Sequence, residues 1–330
     1  MKAVIYKKYG SANVLDLVYT PTPEPADNEV LVKIMATSVT QVDTAFRAGN
    51  PFIARLFTGL LKPKMQVLGT EFAGEIVKVG PNVTLFSEGM RVFAASPDGF
   101  GAHAQYICLS EDAAMVEMPE TLSFEDAAVI DNGALTALPF LRDGGKLKAG
   151  QSILIIGAAG SIGTYAVQLA SEMGAKVTGV CSGANAEMVL ALGAEHVVDY
   201  TKSGYIGELK TYDVIFDTVG KLPFNKALKR LKPAGIFLAA TPDIAALISP
   251  LFMCFRHKKR GKMMATGLRK NPAKIKDMNI LKEMISNGQL TPIIDRSYPL
   301  EEIRAAHEYV EKGHKRGNLL ITVSHERSKI

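Results

Sequence analysis

The stretch Ser152-Ile-Leu-Ile-Ile156-Gly157-Ala-Ala-Gly160-Ser-Ile-Gly163 decides the fold expected of this chain. An apolar run the length of one strand meets a glycine turn, and the turn opens into the helix-period segment TYAVQLASEMGA. Strand, tight turn and helix in that order suit a dinucleotide pyrophosphate, whose charge is met by bare backbone N–H groups at the positive end of a helix. Gly160 lets the backbone approach the phosphates, and Gly163 lets the helix pack close to the strand. Ala158 stands where the first glycine of G-x-G-x-x-G belongs, so the literal motif is broken. Its context restores it, because a second strand, Lys176–Val180, arrives at the expected distance. The competing readings are a similar half-domain for another nucleotide or S-adenosylmethionine, and a tight turn without a ligand.

Outward from that turn, apolar strands and helix-period segments alternate. Helix Ser161–Met173 is followed by strand Lys176–Val180, then helix Ala186–Leu192, with further strands at His196–Asp199, Val214–Asp217 and Ile236–Ala240. That alternation predicts an α/β domain whose doubly wound parallel sheet carries helices on both faces. Residues 1–120 read differently. Short β-like runs (Lys2–Tyr6, Glu29–Ala36, Gly74–Val79, Met90–Ala94, Ala104–Cys108) alternate with turn residues, which predicts a mostly-β module. Ser123 with Asp126 marks a helix start where the texture changes. After Leu268 we expect a helix from Asn271-Pro272 to Gly288, a strand at Pro292–Ile294, a helix Pro299–Lys312 and a strand Leu319–Val323. The last strand lacks an evident partner in the parallel sheet, so the tail is assigned to the first domain. The expected division is 1–124 with 268–330, and 125–267 for the cofactor domain.

The end of the second strand separates NAD from NADP. An acid there would hold the ribose hydroxyls and repel a 2′-phosphate. The chain has Cys181-Ser182-Gly183-Ala184-Asn185, with no carboxylate before Glu187. That favours NADP (NADPH) over NAD, with Ser182, Gly183 and Tyr200, and Lys202 beside it, in reach of the phosphate.

Composition narrows the class further. At 330 residues the chain is the size of two domains, and 47% hydrophobic with 22% charged residues suits a chain with a sizeable core. Cys108, Cys181 and Cys254 form no C-x-x-C pair, which argues against a disulfide framework and for a reducing compartment. No apolar run is long enough for an integral membrane span, and the N-terminus reads as a strand and turn without a signal-type core. A cytoplasmic protein is expected. The net charge of +5 is concentrated at Arg256, His257, Lys258, Lys259, Arg260 and Lys262, after the apolar stretch Ile244–Phe255. A solvated loop explains that run; a membrane-surface contact is its functional alternative. No aromatic-basic interleaving accompanies the charge, so no nucleic-acid partner is expected.

The segments GAAGSIGTYAVQLA, VTGVCSGANAEMVLALGAEHVVDYT and YDVIFDTVG together resemble the medium-chain dehydrogenase/reductase superfamily, in its zinc-independent quinone oxidoreductase-like branch. GTEFAGEIVKVGPNVTLFSEGMRVFA, GALTALPFLRDGGKLKAGQSILIIG and IDRSYPLEEIRAAHEYVEKGHKRGNLLITV extend the resemblance over nearly the whole chain. It implies a GroES-like, mostly-β substrate domain, a Rossmann cofactor domain, and a homodimer or homotetramer. It also implies that Gly160, Ser161 and Ile162 meet the pyrophosphate, with Ala159 and Gly163 in the same cofactor-binding turn, that Thr136 lies beside the nicotinamide, and that Val219 and Thr241 line the cofactor groove. Ala184 departs from similar NADP-using proteins, which often carry Arg or Lys there.

Alignment with the alcohol-dehydrogenase branch puts Thr40, Thr70 and Asn132 where three zinc ligands would stand. Zinc binds thiolate, imidazole or carboxylate, so no metal is expected. The six histidines (His103, His196, His257, His307, His314, His325) read as unclustered. Without a Lewis acid, an acceptor that already spreads charge onto oxygen is the favoured substrate. A small hydrophobic quinone or α,β-unsaturated carbonyl fits. Thr40, Asp43 and Asn132 are the catalytic candidates, with Asp43 and Arg47 four residues apart also readable as a structural pair. The apolar stretch Phe46–Leu61 reads equally as a substrate lid or a local cluster. The competing class is a non-enzymatic NADPH-binding sensor or scaffold, with the basic segment on a membrane surface.

Overall fold

A computed structural model describes residues 1–96, 100–240, 260–263 and 269–325, without the side chains of Ile53, Phe57 and residues 260–263. Two compact units divide the chain: Met1–Asn132 with Lys270–Ser286 and Ile294–Ile330, and Gly133–Arg269 with Asn287–Ile293. The division differs from the expected breaks at 125 and 268. Gln168 explains part of the difference, because its side chain accepts from Thr291 N at 2.8 Å and donates to Thr291 O at 3.1 Å. A seven-residue piece of the tail is thereby tied to the second unit.

In the first unit β1 (Lys2–Ile5) pairs antiparallel with β2 (Asp16–Tyr19). The main sheet takes β3 (Glu29–Ser38), β4 (Glu71–Val79), β5 (Arg91–Ala95), β6 (Tyr106–Ser110) and β7 (Met115–Glu117). These strands hold inward aliphatic and aromatic side chains such as Val32, Ile34, Phe72, Ile76 and Val92, all fully buried in one core. Removing each such side chain from water contributes about 1.5–3 kcal/mol before entropy is counted. The helix Gln41–Ala48 (α1) was not anticipated in this mostly-β module, and neither was Ile53–Thr58 (α2).

The second unit carries a six-stranded sheet, β8 (Ser152–Ile156), β9 (Lys176–Cys181), β10 (His196–Asp199), β11 (Tyr212–Asp217), β12 (Leu231–Ala239) and β13 (Arg260–Met263). All pairs are parallel, in the spatial order β10-β9-β8-β11-β12-β13. That is the doubly wound Rossmann order, with the topological switch between β8 and β11. Near-continuous apolar runs such as Ile153–Ile156 are buried because helices cover such a sheet on both faces.

The tail returns to the first unit. Helix Asn271–Ser286 precedes β14 (Ile294–Pro299) and β15 (Asn318–Thr322); β14 runs parallel to β15, and β15 antiparallel to β3. The short strand expected at Pro292–Ile294 is corrected to β14, and the helix expected from Pro299 begins at Ile303, after a 3-10 turn Leu300–Glu302. Pro299 ends an edge strand, where a missing N–H goes unnoticed, instead of opening a helix. No helix among the described residues is long and apolar enough to cross a membrane.

Candidate active site

The nucleotide turn is built on β8. Gly157 takes a left-handed φ of 76°, and its N–H and that of Ala158 donate to Val180 O at 3.1 and 3.0 Å. The tight-turn role assigned to the position of Ala158 has therefore moved to Gly157. A β-carbon at Gly157 would also meet Thr218 Oγ1 and Val219 Cγ1, each at 2.7 Å. Ala158 itself is buried. Gly160 is the extended N-cap of helix Ser161–Glu172, and no side chain caps that end. An open helix N-terminus with no acid in its first turn is a ready anion site. Gly163 shows why glycine is needed there: a β-carbon would stand 2.0 Å from Gly157 O. Ala159, Gly160, Ser161, Ile162 and Gly163 are thus held in one turn.

Gly133 brings helix Asp131–Pro139 onto this turn, since a β-carbon on it would stand 2.6 Å from the Tyr165 ring and 2.9 Å from Ser161 O. Thr136 follows three residues later, on the same helix. Val219, just past the end of β11, is 38% exposed. Its loop is shaped by Asp217, which the sequence reading missed: Oδ1 accepts from Val219 N and Gly220 N at 3.0 and 2.8 Å, and Oδ2 from Leu222 N at 2.7 Å. Ser182 and Gly183 open the loop after β9, where Asn185 Nδ2 donates to Ser182 Oγ at 3.1 Å. Tyr200 is half-exposed at the end of the neighbouring strand. Thr241 and the Ile244–Phe255 segment lie outside the described residues, as do residues 256–259 of the basic run. The open helix end and glycine turn fit a nicotinamide dinucleotide.

The first unit assembles the other candidates. Thr40 caps α1: its Oγ1 accepts from Asp43 N at 3.3 Å and donates to Asp43 Oδ2 at 2.7 Å, while its N–H reaches the same Oδ2 at 2.8 Å. Asp43 Oδ1 accepts from Gly69 N at 3.0 Å. Asp43 is therefore a buried brace that orients the Thr40 hydroxyl. The structural pairing of Asp43 with Arg47 is corrected, because Arg47 instead reaches Glu311 and the Gly10 carbonyl. Thr70 Oγ1 is buried with no hydrogen-bond partner among the described residues. Of the Phe46–Leu61 stretch, Phe52, Leu56, Leu60 and Leu61 are exposed, while Phe46 packs on Phe100.

Asn132 leads to the largest omission of the sequence reading. Its N–H donates to Glu71 Oε2 at 2.6 Å, and the Ser38 hydroxyl donates to Glu71 Oε1. Glu71 is 1% exposed, and burial pushes its carboxyl up to about 7 despite those two bonds. Asp131 is equally buried, and neither carboxyl oxygen has a hydrogen-bond partner among the described residues. Burial, then the charge of Glu71, holds it well above the usual carboxylate range. The only sequence hint was an acid beside each expected ligand position, Glu71 after Thr70 and Asp131 before Asn132.

The histidines require another correction. His103 and His307 are paired edge to face with ring centroids 5.7 Å apart, both buried. Burial lowers both, His307 well below its usual value, so they are uncharged at neutral pH.

The chain matches the Alcohol dehydrogenase GroES-like domain over residues 26–120 and the Zinc-binding dehydrogenase family over residues 192–321. It is 30% identical to a chloroplast envelope quinone oxidoreductase homolog of Arabidopsis thaliana, covering 97% of this chain and 98% of that one. It is also 30% identical to the chloroplastic NADPH-dependent alkenal/one oxidoreductase of the same plant, covering 97% and 79%. The solved Escherichia coli quinone oxidoreductase complexed with NADPH superposes with a TM-score of 0.85 at 26% identity, covering 98% and 100%. The class is thus an oxidoreductase with a GroES-like domain and a Rossmann domain. The chain belongs to the medium-chain dehydrogenase/reductase superfamily, in its quinone oxidoreductase-like branch.

The second family name implies zinc, and the residues do not fit it. Thr40, Thr70 and Asn132 offer hydroxyls and an amide, and the Thr40 hydroxyl is already committed to Asp43. No group of three or more His, Cys, Asp or Glu suited to a metal occurs among the described residues.

Proposed function

We propose that the protein is an NADPH-dependent reductase of quinones or α,β-unsaturated carbonyl compounds, working without zinc. The observation that carries this is the Thr70 hydroxyl, buried and without a hydrogen-bond partner among the described residues, at a position where a metal-dependent relative needs a ligand. When bound, NADPH supplies a hydride; the similar Escherichia coli and Arabidopsis thaliana proteins are NADPH proteins by name. Helix Ser161–Glu172 holds the pyrophosphate at its open end. On the substrate, hydride addition to a β-carbon or a quinone moves negative charge to an oxygen. Thr70 Oγ1 and the Asn132 side-chain amide are the hydrogen-bond donors that stabilise it, each placed before the charge develops. Thr40 gives its one hydroxyl proton to Asp43 Oδ2, so these two residues act as a positioning pair at the start of α1. The unpaired Cys108 and Cys181 suit a reducing compartment, and we include a cytoplasmic, self-associating enzyme in this proposal.

Purified protein, NADPH and a panel of enones and quinones test the proposal. Oxidation of NADPH with at least one acceptor, in preparations whose zinc content is far below one per chain, is the expected result. Tight NADPH binding with no turnover on any acceptor would favour a sensor instead, and stoichiometric zinc required for turnover would overturn the metal-free chemistry.

A further inference from the structure

Discrimination at the adenosine 2′ position belongs to the end of the strand after the glycine turn, where an acid binds ribose hydroxyls and repels a phosphate. β9 ends on Cys181 and is followed by Ser182, Gly183 and Ala184, none of them acidic. The fold nevertheless supplies a carboxylate from the next strand. The parallel register sets Asp199 opposite Cys181, and Tyr200 N donates to Cys181 O at 3.1 Å, so the ends of β9 and β10 stay together. Asp199 Oδ1 accepts from Thr201 N at 2.9 Å and Thr201 Oγ1 at 2.7 Å, while Oδ2 lies against Gly183. A β-carbon at Gly183 would stand 2.6 Å from Asp199 Oδ2. Glycine at 183 is what admits the acid to the loop.

We infer that Asp199 sets the cofactor discrimination of this chain, weakening its preference for NADPH over NADH, with Lys202 opposing it. The inference rests on the nicotinamide reading above. A 2′-phosphate brings about two negative charges to this loop, and Asp199 meets it with a third that its hydrogen bonds and nearby Lys202 keep ionised. Lys202 is exposed on the turn that Asp199 opens, its N–H donating to Asp199 O at 3.3 Å. A positive charge there attracts the same phosphate.

Calorimetric titration of NADPH and NADH into the unaltered protein and into Asp199→Asn and Lys202→Gln tests it. Asparagine keeps an oxygen for the two Thr201 donors, so the loop is retained, and thermal melting checks this. The expected results have opposite signs. Asp199→Asn shifts the ratio of affinities toward NADPH about tenfold, and Lys202→Gln shifts it toward NADH by a similar factor while NADH affinity itself stays within about twofold; high salt reduces both shifts. A ratio unchanged in both variants, or an equal loss of both nucleotides in Asp199→Asn, would overturn the inference and leave Asp199 a brace of the loop. If neither nucleotide binds the unaltered protein, the nicotinamide reading itself fails.

Discussion

Glu71 holds its carboxyl between the Ser38 hydroxyl and the Asn132 N–H with almost no access to water. Burial raises its folded-state value from 4.5 to about 7, so the fold favours the protonated form. Stability from this group is therefore full at pH below 4.5 and is lost as pH rises through about 7, by about 3 kcal/mol. Glu71→Gln should remove that loss, and melting curves at pH 5 and pH 8 check it: the variant's change between the two is expected to be smaller than that of the unaltered protein. Thr40 carries a different expectation. Thr40→Ala removes the N-cap of α1 at a cost of about 1 kcal/mol, whereas Thr70→Ala removes an uncommitted donor, lowering kcat by about 10²-fold. Thr70→Ser should restore most of the rate, and steady-state kinetics on the best acceptor reads the difference.

At the scale of the element, the glycine turn depends on a close approach of helix to strand. Gly163→Ala places a carbon 2.0 Å from Gly157 O, so the helix Ser161–Glu172 must move outward. A loss of about 1–3 kcal/mol is expected, together with at least tenfold weaker NADPH binding, read by urea unfolding and titration on the same protein. The same dependence made this element legible in sequence, because a strand, a turn and a helix are contiguous and their periodicities are local. β14 was less legible. Its extent is set by pairing with β15, whose residues lie more than twenty positions away, and the proline that reads as a helix start serves an edge strand instead. Helix α1 is less legible because it is only two turns long inside strand-like sequence, and its start signal, the Thr40–Asp43 capping box, also reads as a pair of reactive side chains.

For the whole molecule, the division of the chain follows contacts that close over long separations, such as Gln168 with Thr291. A ligand that binds only the folded state stabilises by mass action, about 2.7 kcal/mol at a hundredfold excess over Kd. NADPH at that level is expected to raise the midpoint of the second unit's unfolding by about 5–10 °C, followed by calorimetry. Dialysis against a strong chelator is expected to leave both that shift and the turnover unchanged, whereas loss of either would restore a metal to the account.

The amino-acid sequence by itself determined the alternation of strand and helix in the second unit, the glycine turn after β8 and the absence of zinc-type side chains at residues 40, 70 and 132. Those features depend on local periodicity and on residue type, which a chain displays without folding. Only the tertiary structure decided that Glu71 grips Asn132, that His103 stands against His307, and that Asp199 lies against Gly183. Each of these joins residues on separate strands, helices or loops. Burial and strand register set their charge and their contacts, and neither exists until the sheets have formed.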